Sequence, residues 1–137
     1  MKGIDVSSYQ GDIDFNQVKN AGIEFVIIKA GVSTRTDTEF ENNYRKAKEA
    51  GLHIGFYWYC YGETYAEISD EADACISALE NKQFDFPVYM DLEEKSQFDL
   101  GKEFCSNAVR TFCEKLKNAG YYPGLYSPTL SLIHISE

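Results

Sequence analysis

Lys48-Glu49-Ala50-Gly51-Leu52-His53-Ile54-Gly55-Phe56-Tyr57-Trp58-Tyr59-Cys60-Tyr61 carries the reading of the fold. Its first four residues end a helix. Lysine in the last turn complements the negative end of the helix dipole, and glycine follows where the chain turns left-handed. Ile54 to Tyr61 then reads as a strand dense in aromatic residues. The same helix-ending phrase occurs as Lys19-Asn20-Ala21-Gly22 and as Lys117-Asn118-Ala119-Gly120, each followed by strand-like sequence. Helix and strand in alternation call for a parallel sheet with right-handed crossovers. The near-continuous apolar character of the strands predicts a sheet buried on both faces. The fold class is α/β, either a barrel or an open doubly wound sheet.

The remaining elements fall on either side of this stretch. Ile4 to Ser7 predicts a first strand and Phe25 to Ala30 a second, buried one. Between them Asp14 caps a short helix, with Gln17 three residues on. Thr36 to Glu39 predicts the cap of the next helix, whose apolar stripe is Phe40, Tyr44 and Ala47. Ile68, Ala72, Cys75, Ile76 and Leu79 predict a third helix. Pro87 to Glu93 predicts a fourth strand, with proline at its first position, where a missing donor is tolerated. Phe104 to Leu116 is the clearest helix, and Tyr121 to Tyr126 the fifth strand.

A length of 137 residues predicts one domain. Ten tyrosines and nine phenylalanines argue against a disordered chain, since aromatic area offsets the entropy of ordering. Thirteen basic against 22 acidic residues give a net charge of −9. Nucleic acid and anionic membrane surfaces would repel such a chain, and the densest basic cluster, Arg45, Lys46 and Lys48, looks like an ordinary helix face. A neutral or weakly charged ligand fits better. No apolar run is long enough to span a membrane, and the opening Met1-Lys2-Gly3-Ile4-Asp5 enters strand-like sequence without a signal peptide. The cysteines Cys60, Cys75, Cys105 and Cys113 form no C-x-x-C pair, which predicts core residues and no zinc site. Cys105 and Cys113 lie about 12 Å apart along one helix, too far to bridge. No glycine-rich phosphate loop follows the first strand.

In parallel α/β folds, functional side chains gather at the carboxyl ends of strands. Here those ends offer Asp5, Lys29, Tyr57, Tyr59, Asp91, Glu93 and Tyr126. Asp91 and Glu93, two apart on a strand, would face the same way with Cα atoms about 6.6 Å apart. Two carboxyl groups that close oppose each other's ionisation, so one holds a proton near neutrality, as a general acid requires. Asp5 would add a third negative group. Glu94 points the other way and reads as structural. Alternation splits the aromatic strand into Phe56, Trp58 and Cys60 on one face and Tyr57, Tyr59 and Tyr61 on the other; tyrosines at a site rim suit the C–H faces of a sugar, though core packing accounts for most of the aromatics. Lys29, costly in a buried strand, predicts a salt bridge to Asp5 or Asp91.

Gly3-Ile4-Asp5-Val6-Ser7-Ser8-Tyr9-Gln10-Gly11, Phe25 to Gly31, Gly55-Phe56-Tyr57-Trp58-Tyr59, Pro87 to Glu93 and Pro123-Gly124-Leu125-Tyr126-Ser127 together resemble the glycoside hydrolase family 25 muramidases, the lysozymes of phage endolysins and bacterial autolysins. The resemblance implies an irregular TIM-like (β/α)5β3 barrel that cleaves the β-1,4 bond between N-acetylmuramic acid and N-acetylglucosamine. It implies Glu93 as general acid and Asp91 as the group that orients the substrate's 2-acetamido group for attack on the anomeric carbon, with net retention. Asp5 would shape the electrostatics of the −1 subsite, and Tyr57, Tyr59, Tyr126 and Lys29 would bind substrate. It implies no metal and no cofactor, a peptidoglycan glycan strand as partner, a monomer when complete, and action outside the cell or at the wall, a phage endolysin included. A glycan-binding barrel without activity and a chitin-active barrel with its own D-x-E are the alternatives.

The family's domain is longer. Only the first five strands of the barrel are legible here, within residues 1–127, and residues 130–137 look like the translation of a sequencing-library adapter. We therefore expect 128–137 to be a non-native tail, against the alternative of a genuine short amphipathic tail. A barrel without its last strands leaves its first and fifth strands as open edges and exposes one side of its core, which predicts poor solubility or inactivity for the polypeptide alone.

Overall fold

The computed structural model describes residues 1–126, so the expected tail at 128–137 lies outside the described residues. The chain runs β1 (Gly3–Val6), a 3-10 turn (Ser8–Gln10), α1 (Phe15–Asn20), β2 (Phe25–Val32), β3 (Arg35–Thr36), α2 (Phe40–Glu49), β4 (His53–Tyr59), α3 (Tyr65–Leu79), β5 (Val88–Asp91), α4 (Lys95–Phe98), α5 (Lys102–Asn118) and β6 (Pro123–Tyr126). The α/β reading holds. Five strands pair in parallel in the order β1-β2-β4-β5-β6, and β3 folds back antiparallel onto the end of β2. The parallel order follows the chain without reversing, unlike a doubly wound sheet. Among the described residues β1 and β6 each pair on one side only.

Local chemistry accounts for the element ends. Asp14 accepts from the amides of Asn16 and Gln17 and starts α1, and Thr64 accepts from Glu67 N to start α3. The expected cap of α2 is narrower than Thr36 to Glu39. Thr36 is spent in β3, and Asp37 Oδ2 accepts from Glu39 N at 3.1 Å. Gly22, Gly51 and Gly120, which close the three repeated phrases, all have positive φ, the conformation that ends a helix at low steric cost. Lys46 of the basic helix face pairs with Asp12. Neither β3 nor α4 was foreseen: one is two residues long and the other four, too short for any periodicity to register.

The two faces of the sheet differ, which corrects the expectation of burial on both. Toward the helices, Val26, Ile28, Ile54, Phe56, Trp58, Val88 and Met90 are at most 1% exposed and form one core with Ile68, Cys75, Leu79, Phe112 and Leu116. On the other face Phe25, Ile27, Lys29, Tyr57, Tyr59 and Tyr89 are only half-buried. The helices cover one side completely; no described element lies over the other. All four cysteines are free, with Cys60, Cys75 and Cys105 buried in the helix-side core as the composition reading expected.

Candidate active site

Strand register assembles the open face in layers. Asp5 aligns with Ile27 and Gly55. Lys29 aligns with Tyr57, Tyr89 and Gly124, and Tyr59 with Asp91 and Tyr126. Residues in register point to the same face, so the carboxyl ends bring Asp5, Tyr57, Asp91 and Tyr126 onto one wall. They line a cavity of about 500 Å³ whose remaining wall is mostly apolar, from Phe25, Ile27, Phe86, Tyr89 and Leu125. A slip in register between Lys29 and Gly31 makes room at the top of β2, where Gly31 lies against the Trp58 ring and Trp58 Nε1 donates to Ser33 O at 2.7 Å.

Asp91 is 4% exposed, and its Oδ1 has no hydrogen-bond partner among the described residues. Burial, the charge of Glu93 and a hydrogen bond with Glu93 push its carboxyl from 3.8 up to about 7, against the opposing charge of Lys29. The expectation of one raised acid in the pair is met at Asp91, whereas the sequence reading placed the proton on Glu93. Asp91 sits inside the sheet, and desolvation falls on the more buried partner. The strand also ends earlier than expected: β5 stops at Asp91, and Glu93 lies in the connection to α4, because Glu94 O already accepts from Gln97 N and Phe98 N. Glu93 nonetheless meets Asp91, since both its charge and a hydrogen bond act there.

Glu93, Tyr59 and Lys29 are not on the cavity wall. They form an adjoining group that touches the wall through Asp91. Lys29 makes no salt bridge to Asp5 or Asp91; its Nζ stands 5.4 Å over the Tyr59 ring. A half-buried ammonium finds its counter-charge partly in a ring face, a contact that costs less desolvation than a tight ion pair. Tyr126 is 57% exposed at the open edge. The Tyr57 hydroxyl is held well above its ordinary range by burial and by the charges of Asp5 and Asp91, while Ser7 hydrogen-bonds it.

Four residues that shape this region escaped the sequence reading as site elements. Glu94, read as structural, accepts the Tyr59 hydroxyl at 2.7 Å. Ser7 is buried and belongs to a capping box with Gln10; its place in the opening motif was the available signal. Glu71, 2% exposed, takes the amides of Tyr61 at 2.7 Å and Gly62 at 2.9 Å, and so fixes the loop after β4. It lies three residues after Ile68 on the apolar stripe of α3, a buried position that helical spacing could have flagged. Gln97 donates to Gly62 O at 2.9 Å from the unforeseen α4, and no sequence signal marked it.

The family model for glycosyl hydrolases family 25 matches residues 4–132. The chain belongs to this family. The family 25 chain is 37% identical over 132 residues to the autolytic lysozyme of Clostridium acetobutylicum, covering 94% of this chain and 39% of that protein. It superposes on a family 25 glycosyl hydrolase from Bacillus anthracis with a TM-score of 0.83 at 24% identity, covering 97% of this chain and 64% of the other. It also superposes on the modular autolysin LytC of Streptococcus pneumoniae, solved in complex with a synthetic peptidoglycan ligand, with a TM-score of 0.82 at 23% identity over 91% and 32% of the two chains. The family 25 chain thus spans less than two thirds of each of these proteins.

Proposed function

We propose that residues 1–127 are the first part of a peptidoglycan hydrolase's catalytic domain, five staves of a (β/α)5β3 barrel, and that 128–137 are a non-native tail. The strand order without reversal and the edges of β1 and β6, unpaired among the described residues, support the barrel reading. A longer natural gene that retains the codons of 130–137 would refute the tail.

The observation that carries the functional reading is Asp91: buried at a cavity beneath an open face, raised to about 7 by burial and by Glu93, with one carboxyl oxygen unpartnered. Such a pair holds one proton between two groups near neutrality. In the proposed reaction Asp91 passes that proton to Glu93 as substrate binds, and Glu93 donates it to the glycosidic oxygen as the bond to the anomeric carbon breaks. Asp91 accepts the N–H of the 2-acetamido group, whose carbonyl oxygen attacks that carbon; water then opens the ring so formed, with net retention. Asp5, on the same wall, favours the positive charge that develops at the sugar. Tyr57 and Tyr126 flank the glycan, with Lys29 and Tyr59 behind them. The bond is the β-1,4 link between N-acetylmuramic acid and N-acetylglucosamine, the partner is a peptidoglycan strand, and the place of action is the wall or the medium outside the cell. A peptidoglycan ligand in the LytC structure supports the substrate class. Among the described residues no helix is long and apolar enough to cross a membrane.

The test is release of reducing ends from purified peptidoglycan and from chitin by the gene-completed chain and by Glu93→Gln. Cleavage of peptidoglycan that is lost in the variant is the expected result. Binding without cleavage would make the barrel a glycan binder, and cleavage of chitin alone would reassign the substrate.

A further inference from the structure

The Tyr59 ring is engaged within its own chain. Lys29 Nζ stands over it at 5.4 Å, Tyr61 packs against it at 5.0 Å between centroids, and its hydroxyl donates to Glu94 Oε2 at 2.7 Å. Tyr61 itself is 45% exposed. Tyr59 is in register with Asp91, and Cys60 N still donates to Asp91 O at 3.0 Å. Alternation therefore sets Tyr61 on the open face, one side-chain layer beyond Asp91. Its backbone is fixed. Glu71, 2% exposed, accepts the amides of Tyr61 at 2.7 Å and Gly62 at 2.9 Å, and the fully buried Gln97 donates to Gly62 O at 2.9 Å. Two buried polar side chains thus hold the chain beneath a ring that the core does not use. A ring placed before binding loses little freedom when a ligand covers it, and a tyrosine face suits the C–H surface of a sugar.

Tyr61 also lines a second cavity, of about 640 Å³, with Ser33 and Thr34 of the β2–β3 turn and with Glu63, Glu67 and Asp70 around the start of α3. The turn is tied to the same strand end: Ser33 N donates to Tyr59 O at 2.9 Å, and Ser33 O accepts Trp58 Nε1 at 2.7 Å. Among the described residues the lining holds carboxylates and hydroxyls and no basic side chain. Such a groove offers acceptors to sugar hydroxyls and to an acetamido N–H, and it repels an anion. Of the two sugars of peptidoglycan, N-acetylmuramic acid carries a lactyl carboxylate and N-acetylglucosamine is uncharged.

We propose that Tyr61 is a stacking platform for an N-acetylglucosamine unit of the bound glycan, the neighbour of the sugar at Asp91, and that the acidic groove beside it selects this neutral sugar over N-acetylmuramic acid. The choice of glycan rests on the peptidoglycan reading above; the platform and its groove do not.

The test is NMR titration of the full chain, its tyrosine rings isotopically labelled, with chitotriose, the trimer of N-acetylglucosamine. Intermolecular NOEs from the Tyr61 ring to the sugar are expected. Tyr61→Leu keeps apolar bulk without a ring face and should weaken chitotriose about fivefold, the size of one aromatic contact. Tyr61→Phe keeps the face and should stay within about twofold of the parent. For the groove, the probes are single N-acetylglucosamine and N-acetylmuramic acid. Glu63→Gln with Asp70→Asn should narrow the preference for the neutral sugar by roughly threefold. Absence of binding, NOEs confined to Tyr57 and Tyr126, unchanged affinity in Tyr61→Leu, or an equal loss in Tyr61→Phe would each overturn the platform; an unchanged preference in the charge variant would overturn the selection. The NOEs are read on the unaltered chain, so they decide the matter even if a variant does not fold. Binding needs no turnover. A chain that seats chitotriose on Tyr61 yet, gene-completed, releases no reducing ends from peptidoglycan loses the hydrolase reading and keeps the platform. A gene-completed chain that cleaves and is indifferent to Tyr61→Leu loses the platform alone.

Discussion

Replacing Asp91 by asparagine should stabilise the protein at neutral pH and not at acid pH. The carboxyl is raised from 3.8 to about 7, mainly by burial and secondarily by Glu93. Below pH 3.8 the folded and unfolded states both hold the proton, and the site carries no ionisation cost. Between 3.8 and 7 the unfolded chain releases the proton while the folded chain keeps it. The folded state then binds more protons, so stability falls as pH rises. Above 7 the cost is complete, and about three units correspond to roughly 4 kcal/mol as an upper figure, shared in part with Glu93. Asparagine keeps the shape, carries no charge and donates an amide proton to Glu93. The assay is urea unfolding at half-unit steps from pH 3.5 to 8. Fluorescence of Trp58, the single tryptophan, is the signal, since the indole is fully buried and its Nε1 donates to Ser33 O. The stability gained by the variant should rise from near zero at the acid end to a plateau of a few kcal/mol above 7. A gain that does not vary with pH, or a variant less stable than its parent at pH 8, would show that burial does not hold this proton.

Three further outcomes follow from single positions. Asn43 is fully buried on α2 with neither amide atom bonded among the described residues, so Asn43→Leu should raise stability by roughly 1–3 kcal/mol in urea unfolding; a loss would reveal a partner for that amide. At Gly31, an added methyl would collide with the Trp58 ring and the Arg35 carbonyl, and Gly31→Ala should cost about 2 kcal/mol and change the tryptophan emission; unaltered stability and emission would contradict that close approach. Glu71→Gln loses one of two charge-assisted acceptors of the Tyr61 and Gly62 amides. It should cost about 2 kcal/mol and speed hydrogen exchange at those two amides before any others, whereas unchanged exchange would place the loop's anchor elsewhere.

The framework of the fold was legible because its signals are local and repeated. The glycines that end three helices and the alternation of Phe56, Trp58 and Cys60 with Tyr57, Tyr59 and Tyr61 need no knowledge of distant contacts. Asp91 and Glu93 were legible as neighbours for the same reason. What escaped was set by partners far along the chain. The Tyr59–Glu94 bond joins residues 35 apart, and the Gln97–Gly62 bond spans the same separation. Lys29 was assigned an ion pair from its cost in a strand, but which counter-charge it finds depends on a register slip at the top of β2 that no local pattern marks. Burial raises Asp91, and burial depends on where a strand stops. Pro87 to Glu93 reads as one run, yet β5 yields to the turn into α4 at Asp91.

The two faces of the sheet divide the work of the molecule. On the helix side the three central strands β2, β4 and β5 contribute fully buried apolar residues, from Val26 and Ile28 through Ile54, Phe56 and Trp58 to Val88 and Met90. Each fully buried side chain of this kind contributes on the order of 2 kcal/mol, so this face alone supplies a core. The opposite face of the same strands carries Asp5, Lys29, Tyr57, Tyr59 and Asp91, groups that would weaken a core and that need a partly wet, concave surface. Period-two alternation makes the separation unavoidable: a strand shifted by one residue would bury Asp91 among the helices and turn Met90 to the cavity. Register is therefore the common condition of stability and chemistry here. Gly31, packed under Trp58 at the one irregularity in the β2–β4 ladder, is where a change on the helix side would be felt at the acids on the other.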